Sequence, residues 1–358
     1  MVKKAFKNIK KTSLKRGFYF FIILLILFFS FFFFINKNTE HNSENYGLSK
    51  NNDSAESCVG DCVFRLIDGV LVEAGQENPF IISAIIDNHS DARPQFSLSQ
   101  ATLVYEVPVE GGMNRYLALF LADAKNISEF GPIRSARPYF LSLAEEYQSL
   151  LVHCGGSPDA LARIIKNKSL SLNEFYNAAY FRRYPSYPAP HNVLANFSKI
   201  QQYLSDKNLL NSDFRPWNFA DNPRENFSSA QRASAIKTFN GFKDYVSEWT
   251  YDAEKNIYLR NLAGRKHLDN NSEQITATNL IFQFVEDEIL DDALRLKINL
   301  IGKGKALICL DSYCEPAYWK KDSEKDRTIF YYLDDQEVVF KRGKTWIQLL
   351  DQSYSLEY

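Results

Sequence analysis

A stretch rich in carboxylates and arginines lies in the first half of the chain, where a strand would normally carry charge only at its ends. In "YEVPVEGGMNRYLALF", Glu106 and Glu110 precede or enter a Gly-Gly turn and Arg115 follows it. Asp87 ends an earlier apolar run. Glycosidases use two carboxylates near one site, one as acid and one as base or nucleophile. The stretch therefore predicts either a solvated hairpin or a site for catalysis or binding, with these three carboxylates as the catalytic candidates.

The alternation of a strand places Val104 and Glu106 on one face, so we expect Glu106 to be partly buried. A buried carboxylate needs a partner, and Arg115 across the turn is the expected one. As an enzyme, Glu106 would be the proton donor, because desolvation raises a carboxyl pKa, and Glu110 would stay ionised. Pairing with Arg115 would instead lower the pKa of Glu106 and exchange the two roles.

Three arginines favour an anionic ligand. Arg115 is followed by Arg134 and Arg137 in "GPIRSARPYF", just before a predicted helix. Guanidinium groups match carboxylates and phosphates, and a helix N-terminus also favours anions. The residues expected to form the ligand site are Asn88, His89, Arg93, Arg115, Arg134, Ser135, Arg137, His153, Gly155, Gly156, Ser157, His191 and Asn192.

Several of these residues also have purely structural interpretations. Asp87 and Asn88 at a strand end can form an Asx turn, and Ser157 before Pro158 is a typical helix cap. The histidines at 89, 153 and 191 are scattered, with no His-x-x-x-His or Glu-x-x-His motif. We therefore expect neither a metal site nor a cofactor.

The elements that carry these residues change in character along the chain. Residues 65–225 mix strand-like runs with helical spacing, whereas residues 230–358 are a series of alternating strands with little helix. This order predicts an α+β fold, with a mixed N-terminal domain and a β-rich C-terminal domain.

The N-terminus reads as a membrane anchor. Residues 1–17 are basic, and residues 18–35 form an apolar run whose helix would span roughly 27 Å, close to the thickness of a bilayer core. The basic block predicts a cytoplasmic N-terminus and an ectodomain outside the cytoplasm. A cleavable signal peptide is the alternative, but its apolar region is usually shorter. Residues 36–64 are polar and read as a flexible linker.

The overall charge excludes one class of partner. The 358 residues carry a formal net charge of −1, and the basic excess is confined to the tail, so no nucleic acid is expected to bind. Outside the cytoplasm disulfides persist, which favours the pairs Cys58–Cys62 and Cys309–Cys314. A four-cysteine zinc site is the competing interpretation, but neither spacing is the usual one. Cys154 is left over as a small buried residue.

The sequence resembles the YerB-like family of bacterial envelope proteins. The resemblance rests on "IIDNHSDARPQFSLSQATLVYEVPVEGGMNRYLALF", "GPIRSARPYFLSLAEEY", "VHCGGSPDA" and "APHN", and on "TIFYYLDDQEVVFKRGKTWIQLL" in the second half. It implies an extracytoplasmic location and a two-part fold, without a reaction. Family members often carry a lipid-accepting cysteine, whereas this chain has an apparent transmembrane helix. They also usually have Asp-Gly where this chain has Asp311-Ser312.

Three hypotheses follow. The first is a membrane-anchored protein that binds an anionic envelope ligand, a cell-wall glycan in the first instance. The second is a peptidoglycan-cleaving enzyme that uses paired carboxylates. The third is a scaffold whose β-rich domain recruits a protein partner by accepting a strand at an exposed sheet edge.

Overall fold

Strands dominate the fold, as expected where β-branched and aromatic residues alternate between turn residues. The structure is a computed structural model, and it describes Cys58, residues 60–223 and residues 230–358. The predicted basic tail and transmembrane helix lie outside these residues, as does most of the predicted linker. Within the described ranges, no helix has both the length and the apolar character needed to cross a bilayer.

The segment before residue 224 contains strands and helices, as predicted. Its strands are β1 (Cys62–Phe64), β2 (Leu71–Glu73), β3 (Ile81–Asp87), β4 (Leu103–Pro108), β5 (Asn114–Leu121), β6 (Glu129–Phe130), β7 (Leu150–His153), β8 (Ser171–Asn173), β9 (Phe181–Arg183), β10 (Val193–Asn196) and β11 (Asn218–Ala220). Its helices are α1 (Pro138–Glu145), α2 (Pro158–Asn167) and α3 (Phe197–Asp206). The predicted strands that became β3, β4, β5 and β7 are confirmed, as are the predicted helices α1 and α2.

The segment after residue 229 consists of strands and turns, with a short 3-10 helix at Lys243–Tyr245, among its described residues. Its strands are β12 (Gln231–Arg232), β13 (Ala235–Phe239), β14 (Ser247–Asp252), β15 (Ile257–Leu262), β16 (Arg265–Lys266), β17 (Thr276–Ala277), β18 (Asn279–Phe284), β19 (Glu286–Ile289), β20 (Leu296–Asn299), β21 (Gly302–Leu310), β22 (Tyr313–Lys321), β23 (Ile329–Tyr332), β24 (Val339–Lys341), β25 (Thr345–Leu350) and β26 (Ser355–Glu357). The combination of few helices with many strands is consistent with the predicted α+β class.

One central sheet joins the two segments. Its order is β12–β22–β21–β18–β25–β4–β5–β3–β7–β8, with β23 paired to β22. At the junction β25 runs parallel to β4, with Ile347 opposite Tyr105 and Gln348 opposite Glu106. The described residues belong to one compact unit, Ala55–Tyr358. The boundary near residue 225 stays a prediction.

The central sheet is covered on both faces, which explains why β3, β4 and β5 are buried along their whole length. Tyr139 and Phe140 of α1 pack on the face that carries Tyr105. The opposite face carries Val104 and packs against Trp249, which belongs to the second sheet, of order β16–β15–β14–β13–β26. Burial on both faces leaves the ends of the strands as the places where polar side chains reach solvent.

A buried charge cluster ties α1 to the C-terminal segment. Glu146, immediately after α1, accepts from Lys321 Nζ at 2.8 Å, from Arg327 Nη1 at 2.8 Å and from the hydroxyl of Thr328 at 2.7 Å. Burial opposes the charged form of Glu146, but the charges of Lys321 and Arg327 outweigh it and hold the pKa of Glu146 below its usual value. The cluster is closed to solvent and its charged groups form ion pairs with one another, so we interpret it as structural.

Candidate functional site

The predicted polar residues meet in a small cavity where β3 ends and β5 begins. Asp87, the last residue of β3, lies opposite Arg115 in the antiparallel register. The cavity has a volume of about 210 Å³. It is lined by Asp87, His89, Val109, Met113, Asn114, Arg115, Arg134 and His191. Five of these eight residues are among the predicted site residues, namely Asp87, His89, Arg115, Arg134 and His191.

Asp87 organises one wall of the cavity. Its Oδ1 accepts from the backbone N–H of His89 at 3.0 Å, which confirms the predicted Asx turn. Its Oδ2 lies 2.7 Å from Nδ1 of His191 and 3.1 Å from Nε of Arg134. A carboxylate that is almost fully buried therefore joins residues from three distant parts of the chain.

Two histidines face each other at the mouth of the cavity. The rings of His89 and His191 are stacked, with centroids 4.2 Å apart and an interplanar angle of 14°. The two residues are far apart in the sequence, and the fold brings them together by placing the loop before β10 against the end of β3. His153 is elsewhere, fully buried, with Nδ1 2.7 Å from the carbonyl oxygen of Gly155. Burial lowers the pKa of His153.

Arg115 is the unusual residue of the site. Its side chain is 5% exposed, and it donates to the carbonyl oxygen of Ser135 at 3.0 Å. Among the described residues the guanidinium of Arg115 forms no other hydrogen bond and no ion pair. Burial lowers the pKa of Arg115 to about 10, and the nearby charges of Arg137 and Arg134 act in the same direction. The more distant charges of Glu110 and Asp87 act in the opposite direction, but neither carboxylate forms a salt bridge with this buried cation.

The predicted pairing of Glu106 with Arg115 is wrong. Glu106 lies on the same face as Val104, as predicted, but this face points into the core beneath the second sheet. Its partner there is Arg260, with Nη2 2.7 Å from Oε2 of Glu106. Asn114 and Trp346 also donate to the carboxylate, at 2.9 and 3.1 Å. Glu106 has no exposed surface, and this arrangement does not favour it as a proton donor to a ligand.

Arg260 is a residue that the sequence reasoning missed. It lies in β15, where buried and half-buried positions alternate, and it shares the buried positions with Tyr258 and Leu262. Its Nη1 lies 2.7 Å from Nδ1 of His267, and its guanidinium lies 4.7 Å from the ring centroid of Trp346. An arginine at an apolar position of an alternating strand was the available signal that a buried acid must lie opposite.

Glu110 has a different partner from Glu106. Its Oε2 accepts from Nη2 of Arg137 at 3.0 Å, and its Oε1 accepts from Nε of the same residue. Partial burial raises the pKa of Glu110, but the hydrogen bonds and charge of Arg137 outweigh that effect and the net direction is downward. The two glutamates therefore belong to separate ion pairs, and they do not form the arrangement of two free carboxylates that a glycosidase uses.

The remaining predicted residues serve the surrounding structure and do not line the cavity. Ser157 caps α2, since its Oγ accepts from the backbone N–H of Ala160 at 3.3 Å, and this cap prediction is confirmed. Arg93 donates to the side chain and carbonyl oxygens of Asn88. The other predicted residues outside the lining are Ser135, Gly155, Gly156 and Asn192.

Comparison with known proteins places this cavity in a family context. The family described as "Protein of unknown function (DUF3048)" matches twice, its N-terminal domain over residues 69–210 and its C-terminal domain over residues 237–347. The chain belongs to this YerB-like family. The resemblance seen in the sequence is thereby confirmed, and all the residues that line the cavity fall within the N-terminal match.

Two relatives support the assignment. The "Putative lipoprotein YerB" of Bacillus subtilis (strain 168) is 27% identical over 273 residues, which are 75% of this chain and 80% of the relative. The crystal structure of the YerB protein from Bacillus subtilis has a TM-score of 0.72 and 24% identity, and the match covers 83% of this chain and 100% of that chain. This likeness establishes a YerB-like fold.

The cysteines of this YerB-like chain pair as predicted. Cys58 bonds to Cys62, and Cys309 bonds to Cys314 across the hairpin of β21 and β22. Cys154 is the free cysteine of the described residues, with Sγ 3.4 Å from Oε2 of Glu174. Burial raises the pKa of Cys154 to about 11, and the charge of Glu174 adds to the effect. Its thiol is therefore in the unreactive, protonated form near neutral pH.

Proposed function

We propose that this protein binds an anionic group of a cell-envelope ligand, a cell-wall glycan in the first instance, in the cavity at the end of β3. The observation that carries the proposal is Arg115, a guanidinium that is 5% exposed, lines the cavity and forms no ion pair with a described residue. Burying an unpaired charge is costly. An anion in the cavity would offset that cost, and the guanidinium would then donate charge-assisted hydrogen bonds to it.

The balance of charge around the cavity supports an anion rather than a neutral ligand. Arg134 is compensated by Asp87, and Arg137 is compensated by Glu110. The charge of Arg115 remains. A volume of about 210 Å³ suits a carboxylate or phosphate group with a few neighbouring atoms, so the cavity would hold one end of a larger molecule.

The location is part of the same proposal. The Bacillus subtilis relative bears the name of a lipoprotein, and two disulfides in this chain suit an oxidising compartment. We place the cavity outside the cytoplasm, on a protein held at the membrane by its N-terminal apolar segment. Cleavage of the glycan is not favoured, because Glu106 and Glu110 each neutralise an arginine.

The test compares two sugars that differ by one anionic group. N-acetylmuramic acid carries a lactyl carboxylate that N-acetylglucosamine lacks. Titration calorimetry with the full-length protein in detergent should detect binding of the first sugar and not of the second. Arg115→Met should weaken this binding by about 10- to 100-fold, the value of a hydrogen bond to a charged group. Added salt should weaken it only modestly, because the site is shielded from solvent.

A matched control is available on the surface. Arg182 is half-exposed and pairs with Glu129, outside the cavity, so Arg182→Met should leave the affinity unchanged. Equal affinity for both sugars, or equal loss in the two arginine variants, would remove the support for an anion site at Arg115.

A further inference from the structure

Three side chains that could coordinate a metal ion lie at the mouth of the cavity. His89, Asp91 and His191 each offer a ligand atom, and these three atoms all lie within 4.8 Å of one another. The residues come from the turn after β3 and from the loop before β10. None of the three is needed to hold the anion at Arg115, so this group goes beyond the proposed function.

The hydrogen bond at His191 leaves one ring nitrogen free for a metal. Nδ1 of His191 lies 2.7 Å from Oδ2 of Asp87. An ionised carboxylate can only accept, so Nδ1 carries the proton and Nε2 carries the lone pair. A carboxylate on the far nitrogen is the usual outer partner of a metal-binding histidine, because it fixes the tautomer and orients the ring. Asp87 is buried and held by Arg134, so this orientation is fixed before any metal arrives.

His89 and Asp91 are placed to bind the same ion from the other side. Nδ1 of His89 lies 3.6 Å from Oδ2 of Asp91. Two ligand atoms on one tetrahedral Zn²⁺ are roughly 3.3 Å apart, given metal–ligand distances near 2.0–2.1 Å. The short 3-10 turn Ser90–Ala92 follows His89 and sets this separation. Nδ1 of His89 accepts a long hydrogen bond, 3.2 Å, from the backbone N–H of Asp91, so the lone pair of this nitrogen already faces Asp91.

Exposure and charge are compatible with a cation. The side chains of His89 and Asp91 are 34% and 51% exposed, so an ion can enter from solvent and retain a water ligand. Asp91 contributes a negative charge that no described lysine or arginine neutralises. Arg134 is compensated by Asp87, whereas Arg115 opposes the cation from inside the cavity.

We infer that His89, Asp91 and His191 form a binding site for a divalent transition-metal ion of the Zn²⁺ class. Two imidazoles and one carboxylate are the ligand types that Zn²⁺ binds with an open fourth position. Binding requires the ring of His89 to move off the ring of His191, which Asp87 holds in place, and to turn its free nitrogen toward the ion. Asp87 is the positioning residue, and it acts through His191.

The experiment is calorimetric titration of Zn²⁺ into full-length, tag-free protein in detergent, stripped with a chelator and free of phosphate. One equivalent should bind. His191→Asn and His89→Asn should each lower the affinity by at least about 100-fold. Asp87→Asn should lower it about 10- to 100-fold without removing a ligand. Glu288→Gln, on an exposed hairpin, is the control and should change nothing.

Arg115→Met separates this site from the anion site. Removing the opposing charge should tighten Zn²⁺ binding a few-fold, while sugar binding to chelator-treated protein weakens by about 10- to 100-fold. Circular dichroism confirms that each variant is folded. Absence of a stoichiometric site in the wild type would overturn the inference, as would an affinity unchanged in both folded histidine variants. Either result leaves the anion titration, performed without metal, as an independent test of the proposed function.

Discussion

Charge is buried in two different ways in this protein. In the core, Glu106 faces Arg260, and Glu146 faces Lys321 and Arg327, with side-chain exposures of 0–2%. At the end of β3, Arg115 is nearly as buried but has only a carbonyl oxygen as partner. The acids and bases of the core clusters form ion pairs with one another, whereas Arg115 has no ion-pair partner among the described residues.

The difference shows why counting charges in a sequence does not locate a site. The sequence alone does not distinguish these residues, since each is an acid or a base within or next to an apolar segment. Their environments separate them, because a fully paired group stabilises one fold, and an unpaired buried group costs stability. Residues that cost stability are the better candidates for function.

The largest effect is expected at Glu146. Glu146→Gln removes the carboxylate that faces two buried cations, so unfolding free energy should fall by about 3–5 kcal/mol. The measurement is urea unfolding of residues 55–358. Glu288→Gln is the control, since Glu288 pairs with Lys297 at the surface and each side chain is 67% exposed, and it should cost less than about 1 kcal/mol. Similar losses in the two variants would contradict the distinction.

The same carboxylate predicts a pH dependence. The pKa of folded Glu146 lies below its ordinary value of 4.5, so the unfolded chain takes up the proton first as pH falls. Its stabilisation is therefore full above pH 4.5 and is lost as pH drops toward the folded pKa. Unfolding free energy measured from pH 7 to pH 3 should fall less steeply in Glu146→Gln. Parallel curves would show that Glu146 does not contribute.

A somewhat smaller loss is expected at the pair beneath the second sheet. Arg260→Met leaves the buried carboxylate of Glu106 without its ion-pair partner, but Asn114 and Trp346 still donate to it. The unfolding free energy should therefore fall by about 3 kcal/mol, the lower end of the range for a broken buried pair. Arg265 is exposed in β16, which pairs with β15, so Arg265→Met should leave the unfolding free energy unchanged. Chemical unfolding of the two variants gives the comparison, and a neutral Arg260→Met would mean that the pair is not closed as described.

The smallest loss of stability is expected at the Glu110–Arg137 pair beside the cavity, where a change in ligand affinity is expected as well. Glu110→Gln should cost about 1–2 kcal/mol, since each partner is 15% exposed. It also leaves Arg137 uncompensated near Arg115, so affinity for N-acetylmuramic acid should rise a few-fold. A fall in affinity would show that Glu110 contacts the ligand itself.

Local pattern predicted the strands and two helices around the site because alternation and capping act over a few residues. Glu106 was placed on the correct face for this reason. The same reasoning supplied a neighbour, Arg115, as its partner, whereas the true partner lies 154 residues away. The register between β4 and β25 and the packing of β15 decide that contact, and neither is visible in local sequence.

The cavity shows the same limit. Asp87, Arg115 and Arg134 were expected together because they lie near strand and helix ends in one region. The stacking of His89 on His191 depends on a loop about a hundred residues further on, and spacing alone gave no sign of it. The cap at Ser157, a local feature, was predicted correctly.

We propose that the charge of Arg115 serves a ligand and not the fold. The direct measurement is the pair of values for Arg115→Met, its unfolding free energy in urea and its affinity for N-acetylmuramic acid. We expect a stability equal to or above that of the wild type, because repulsion from Arg134 and Arg137 is relieved, together with an affinity lower by at least about 10-fold. A loss of several kcal/mol in stability with unchanged affinity would contradict it.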